Sequence, residues 1–193
     1  MTSSSGPIQF LRAAERPAMA WRNGGGVTRE VAGYPAGSGL DDFAWRVSLA
    51  DVAAAGPFSA FPRVDRVITL VEGPGMALTV DGDEQVVDAP FRPFAFSGDA
   101  ATDCRLLGGP LVDFNVMTRR GRAAANLVLA DAPRTVDVPA GATVLLVCLA
   151  GTAAVDGAAL ARYDAALLPS PGAYELRPDG VTAVITLTST SDN

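Results

Sequence analysis

Three segments gather the residue types through which this chain could do chemistry. The first is Trp21-Arg22-Asn23-Gly24-Gly25-Gly26-Val27-Thr28-Arg29-Glu30. Three consecutive glycines admit positive φ and let the backbone approach a ligand closely. The segment lacks GxGxxG or GxxxxGK(S/T) spacing and no helical pattern follows it, so a nucleotide loop is rejected. Two readings stay open, a loop that exposes main-chain N–H groups and a tight turn between strands. The second segment is Phe43-Ala44-Trp45-Arg46-Val47-Ser48-Leu49, followed by Gly56-Pro57-Phe58-Ser59-Ala60-Phe61-Pro62 and Asp65-Arg66. On a strand, Arg46 and Ser48 share the face opposite Phe43, Trp45, Val47 and Leu49. The third is Asp113-Phe114-Asn115-Val116-Met117. Its parity puts Asp113, Asn115 and Met117 on one face.

What is missing narrows the chemistry further. The chain has no histidine, and all 15 of its basic residues are arginines. Ser-His-Asp triads, Cys-His pairs and imidazole metal ligands are therefore excluded, as are a lysine Schiff base and a P-loop lysine. No metal and no cofactor is expected, although an all-carboxylate metal site is not strictly ruled out by composition. Cys104 and Cys148 have neither CxxC spacing nor the number for a disulfide framework, and Cys148 lies in an apolar run. A net charge of −6 without a basic stripe argues against nucleic acid. The Arg119-Arg120-x-Arg122 cluster reads as a solvated linker. The start has no charged and apolar leader pattern, and no apolar run nears the ~20 residues of a membrane span. A cytoplasmic protein without membrane or nucleic-acid partners is the expectation.

The elements that must position these residues are strands. An apolar fraction of 49% fits a globular chain, and 20 glycines and 14 prolines cut it into short apolar pieces. That punctuation predicts an all-β sandwich or barrel. Strands are expected at 43–49, 67–72, 76–80, 94–97, 111–117, 142–149, 165–168 and 181–188. Single helical turns are expected at 52–55 and 119–125. A faint repeat relates Val67–Gly73 and Leu78–Gly82 to Leu145–Gly151 and Ala153–Gly157. Each copy reads strand, glycine turn, strand, Asp-Gly turn, strand. Two stacked jelly-roll halves follow, residues 1–120 and 121–193, packed as one unit with few short helices and a join near 119–133.

The strings WRNGGGVTRE, FAWRVSLADV, GPFSAFPRVDR, VEGPGMAL and GPLVDFNVMTRR together resemble the signature of the HutD/Ves family, from Trp21 to Arg120. The resemblance implies a bicupin-like double jelly roll, associated in many bacteria with histidine-utilisation genes. A small acidic metabolite such as formylglutamate is the ligand proposed for such proteins. Two positions depart from the family pattern: Ala20 stands where proline is usual, and Arg63 stands where glycine is usual.

Carried over from those motifs, the polar set is Trp21, Asn23, Glu30, Arg46, Ser48, Arg66, Asp113 and Asn115. An interior arginine beside a serine and an amide suits a carboxylate, with a planar fork for two oxygens and neutral donors beside it. The leading expectation is a metal-free cavity in the N-terminal half that binds a small carboxylate, with Arg46, Ser48 and Asn115 at its centre. The competing structural role for Arg46 is a salt bridge to Glu30 or Asp113. The enzymatic alternative is a metal-independent isomerase or cyclase using Glu30 or Asp113 as acid or base. A homodimer through exposed sheet edges is a third expectation.

Overall fold

The structure is a computed structural model that describes residues 7–189. In chain order its strands are β1 (Gln9–Leu11), β2 (Met19–Ala20), β3 (Gly26–Tyr34), β4 (Trp45–Val52), β5 (Gly56–Pro57) and β6 (Val64–Glu72). Then follow β7 (Met76–Val80), β8 (Asp83–Val87), β9 (Pro93–Ser97), β10 (Thr102–Leu106), β11 (Leu111–Arg119) and β12 (Ala123–Ala130). The last are β13 (Arg134–Val138), β14 (Ala142–Val155), β15 (Ala158–Leu160), β16 (Ala165–Leu168) and β17 (Gly172–Ser189). Among the described residues the one helical piece is a 3-10 turn at Ala13–Glu15. No helix is long and apolar enough to cross a membrane.

Each of the eight segments expected as strands coincides with a strand, although the first starts at Trp45 and leaves out Phe43 and Ala44. The two expected helical turns are not helical. Val52 ends β4, and the 119–125 segment is the β11–β12 connection with the strand ends on either side.

Contacts divide the chain into two compact units, Arg16–Arg122 and a second formed by Ala123–Asn193 with Met1–Glu15. The sequence reading divides it at 120/121 and leaves the N-terminus with the first half. Pairing explains the difference, because Gln9, Phe10 and Leu11 lie antiparallel to Leu167, Ala166 and Ala165 of β16. Arg12 then closes the join by donating to Asp164 at 2.7 Å.

In the unit Arg16–Arg122 a six-stranded sheet runs β2-β3-β4-β11-β6-β9, and a four-stranded sheet runs β5-β10-β7-β8. Ala50, Val52, Ile68, Leu70 and Leu111 of the first sheet form one apolar core with Met76, Leu78, Val87 and Cys104 of the second. In the other unit β14 and β17 are the long central strands, flanked by β16 and β12, with β13 on β17 and β15 on β14. Val144, Leu146, Leu160, Leu168 and Leu176 are fully buried in its core. Both cysteines are buried and free, and burial pushes each thiol up to about 11.

The repeat is visible in the backbone. Asp81-Gly82 (φ 49° and 93°) and Asp156-Gly157 (φ 46° and 81°) each take positive φ at both positions. They form two-residue hairpin turns, joining Val80 to Asp83 and Val155 to Ala158. The copies differ at their first glycine. At Gly73 the chain leaves β6, whereas β14 runs on through Gly151 after a register shift between Cys148 and Ala150. There Gly151 faces Gly180 so closely that a Cβ on Gly151 would stand 1.9 Å from the Asp179 carbonyl oxygen.

The arginine cluster is partly solvent-exposed and also forms a clasp within its unit. Arg119 donates from Nε to the Phe43 carbonyl at 2.9 Å and from a terminal nitrogen to the Pro62 carbonyl at 3.3 Å. Arg120 bridges Asp65 and Asp99, and Arg122 donates to the Asp42 carbonyl at 3.1 Å.

Candidate functional site

Cross-strand register brings the polar residues into rows on one face of the six-stranded sheet. Arg46 of β4 pairs with Met117 of β11, which pairs with Arg66 of β6. In the next row Glu30, Ser48, Asn115 and Ile68 stand side by side, and beyond them Thr28, Ala50, Asp113 and Leu70. A bulge between Glu30 and Ala32 sets Gly33, not Ala32, opposite Arg46. Further along the strands the same face turns apolar at Val52, Leu70 and Leu111 and joins the core. A cavity of about 1020 Å³ opens above the polar rows, lined among others by Arg46, Ser48, Arg66, Asp113, Asn115 and Met117. It lies within Arg16–Arg122, the part of the chain in which the sequence concentrates its unusual polar residues.

Arg66 is the most exceptional of these side chains. It is 6% exposed and its Nε, buried, has no hydrogen-bond partner. Among the described residues no carboxylate lies within ion-pair distance of it. Three rings surround its guanidinium instead, with centroids at 4.9 Å (Phe96), 5.4 Å (Phe58) and 5.5 Å (Phe61). Cation–π attraction holds the charge without using its donors. Burial pushes Arg66 down to about 10, against Asp113, while Arg46 adds to the depression. At neutral pH it stays charged.

Asp113 is 1% exposed, and its Oδ1 is also without a partner. Burial pushes its carboxyl up to about 7; Arg66 opposes the rise and Asp51 adds to it. Asn115, 7% exposed, leaves its Oδ1 unpartnered, and Ser48 beside it is buried. Three polar atoms of the residues lining the cavity are thus desolvated and unmatched. Each such group costs about 1–3 kcal/mol unless something satisfies it.

The other expected residues have settled roles. Arg46 Nε donates to Glu30 Oε2 at 2.6 Å, so the competing salt bridge exists, with Glu30 as its partner. Glu30 is not among the residues that line the cavity. The Trp21 indole N–H donates to Thr28 Oγ1 at 2.7 Å, and its ring meets Phe58 edge-on at 6.1 Å. Asn23 Oδ1 accepts from the Gly25 N–H at 3.0 Å, while the Trp21 N–H bonds to the Gly26 carbonyl. The glycine segment is therefore the tight turn between β2 and β3. Arg63 has φ 61°, which explains why a glycine suits its position. It does not line the cavity.

Sequence reasoning quoted Phe58 and Phe61 without giving them a role, and it missed Phe96. The available signal was two phenylalanines three apart, ahead of Arg66, between Gly56-Pro57 and Pro62. Backbone bonds from Phe58 N–H to the Thr102 carbonyl (2.9 Å) and from Phe61 N–H to the Gly98 carbonyl (2.7 Å) pin that segment over the cavity.

Arg46→Met tests the ion pair. The Glu30 side chain is 37% exposed and can draw water, so a loss of about 1–2 kcal/mol is expected, below the ~3–5 of a fully buried orphan. Urea unfolding of the variant checks it.

Fold and site together define an all-β protein of the bicupin-like kind, with a polar cavity in its Arg16–Arg122 unit. Comparison makes this particular: the HutD family model matches residues 13–186, and the chain belongs to the HutD family. An uncharacterised 21.2 kDa protein in the hutC 3′ region of Pseudomonas putida is 46% identical over 120 residues, covering 62% of this chain. The match spans 63% of that relative's length. Protein Ves of Cronobacter sakazakii is 38% identical over 125 residues, 64% of this chain and 67% of its own. The structure of HutD from Pseudomonas fluorescens SBW25 in a formate condition superposes with a TM-score of 0.86 at 36% identity, over 96% of this chain and 100% of that one. Bacillus subtilis oxalate decarboxylase, at 8% identity and TM-score 0.62 over 97% of this chain and 78% of its own, shares the fold alone.

Proposed function

We propose that the protein binds a small carboxylate-bearing metabolite in this cavity without a metal. The observation that carries the reading is Arg66, a buried guanidinium on the cavity wall with an unsatisfied Nε donor and no acid within ion-pair distance among the described residues. Arg22, Arg46, Arg66 and Arg119 line the cavity against Asp41 and Asp113, so even with Arg46 matched by Glu30 the wall stays net positive, which suits an anionic group. Ser48 and the Asn115 amide then fix its orientation. Two charge-assisted hydrogen bonds at about 1.5–3 kcal/mol each support binding in the millimolar to micromolar range.

Titration of the protein with formate, acetate and succinate, followed by thermal shift and by NMR, tests this. Saturable binding is expected for at least one of them. At 100 times its dissociation constant that ligand stabilises the fold by about 2.7 kcal/mol. Saturation by none of the three up to tens of millimolar overturns the reading.

Asp113 also favours a second reading, a metal-independent acid–base enzyme, because a carboxyl that titrates near 7 suits proton transfer at neutral pH. Deuterium exchange at the α-carbon of a bound carboxylate, lost in Asp113→Asn, separates catalysis from binding.

A further inference from the structure

We infer that Asp113 occupies the loaded cavity as its carboxylic acid and donates its hydroxyl hydrogen to the bound anion, so that above neutral pH each anion enters together with a proton. This rests on the carboxylate-binding reading and adds to it a donor, a stoichiometry and a pH dependence.

The placement of Asp113 carries the inference. In its cross-strand row it stands between Ala50 on β4 and Leu70 on β6, neither of which offers a hydrogen bond from its side chain. Its side chain is buried on the cavity wall with Oδ1 unmatched, and among the described residues no cation stands within ion-pair distance. Four elements present titratable or charged groups towards it. Arg66 faces it from β6, and Asp51 acts on it from β4. Arg46, also on β4, is held by Glu30 of β3, and Asp51 is itself paired with Arg29 of β3. From β10 comes the Cys104 thiol, which stays protonated at neutral pH. Among the described residues Arg66 has no carboxylate within ion-pair distance, and Arg22 and Arg119 also line the cavity.

An anion that docks on Arg66 cancels that attraction for Asp113. An ionised Asp113, itself 1% exposed, would then face a second negative charge with no proton between them to share. Two acidic oxygens in one such site settle the conflict by holding a proton, and the pKa of the pair rises. The unliganded carboxyl, already pushed up to about 7, starts within reach of that state. Protonated, it supplies the one thing an anion needs from it, an O–H donor. The proton comes from solvent. No covalent bond forms or breaks other than that O–H.

The test uses formate, because formate stays ionised throughout the range pH 6–9. Its dissociation constant is measured by calorimetry or NMR across that range for the wild type and for Asp113→Asn. The asparagine amide replaces the acid's O–H with an N–H donor that does not titrate. Wild-type affinity is expected to hold steady below pH 7 and to weaken about tenfold per pH unit above it, about 100-fold by pH 9. The variant is expected to bind at every pH with less than threefold variation. Calorimetry of the wild type at pH 8.5 in buffers of different ionisation enthalpy gives a second readout without any substitution, close to one proton taken up per formate. Binding that is as tight at pH 9 as at pH 6, or proton uptake near zero at pH 8.5, overturns the inference and leaves carboxylate binding standing. A slope in the variant equal to that of the wild type moves the titration to another group and also overturns it. No formate binding at any pH in either protein overturns this inference, and if acetate and succinate fail as well the functional reading falls with it.

Discussion

Arg66→Met is expected to raise the dissociation constant for small carboxylates at least 100-fold while leaving the melting temperature at or above that of the wild type. The two halves of this result come from one fact. The Arg66 guanidinium is buried, yet its ring neighbours Phe58, Phe61 and Phe96 leave its N–H groups unused. In the empty protein it carries a desolvation cost that cation–π contacts of ~0.5–2 kcal/mol offset only in part. Methionine keeps much of the volume, packs well against rings and removes the buried charge. It removes the anion's main partner as well. Calorimetry and thermal melting on the same preparation read both effects. A drop of more than about 2 kcal/mol in stability with affinity unchanged would make Arg66 a scaffold residue.

The second large effect is on stability against pH. Asp113 has an ordinary acidity when unfolded and titrates near 7 when folded. Between about pH 4 and pH 7 the folded state therefore holds a proton that the unfolded state has released. Stability from this group is complete below pH 4 and falls as pH rises through that window. Above 7 it is gone. The whole change amounts to up to about 4 kcal/mol, of which roughly 2–3 lies between pH 5 and pH 8. Asp99, held down to about 2 by the Arg63 N–H, Arg120 and Ser97, works oppositely and only at lower pH. Asp113→Asn cancels the loss, so the variant is expected to exceed the wild type most at pH 8. Urea unfolding followed by tryptophan fluorescence is well placed for this, since Trp21 and Trp45 both lie in the Arg16–Arg122 unit. Parallel wild-type and variant curves from pH 5 to pH 8 would show that Asp113 ionises freely.

How far the sequence could be read depended on what each residue declares locally. Val67–Glu72 and Leu145–Leu149 state their strands through apolar and β-branched runs. The missed strands do not. β3 begins at Gly26 and carries Thr-Arg-Glu in its middle, β8 is mostly polar and exposed, and β12 opens Ala-Ala-Ala; long-range pairing overrides their weak propensity. At the site, parity alone was enough to put Arg46 with Ser48 and Asp113 with Asn115. It was silent on which arginine is already paired. That depends on the β3–β4 register and its bulge, which set Glu30 beside Ser48, within reach of Arg46. Sequence therefore centred the site on Arg46, whereas the buried arginine without an acid in ion-pair distance is Arg66. Its aromatic surroundings come from a loop and from β9, and no periodicity joins those to β6.

The placement of β1 against β16 has a consequence for how the protein is made. Arg16–Arg122 is one uninterrupted stretch, and every strand partner it needs has left the ribosome once Arg119 has. Phe10, by contrast, must wait for Ala166. At ordinary elongation rates that interval is roughly 10–30 seconds. Phe10 and Leu11 of β1 are thus made well before the strand that shelters them. Nascent chains stopped before β16 should carry Phe10 and Leu11 uncovered and open to a chaperone. Those stopped well beyond it should have closed around them.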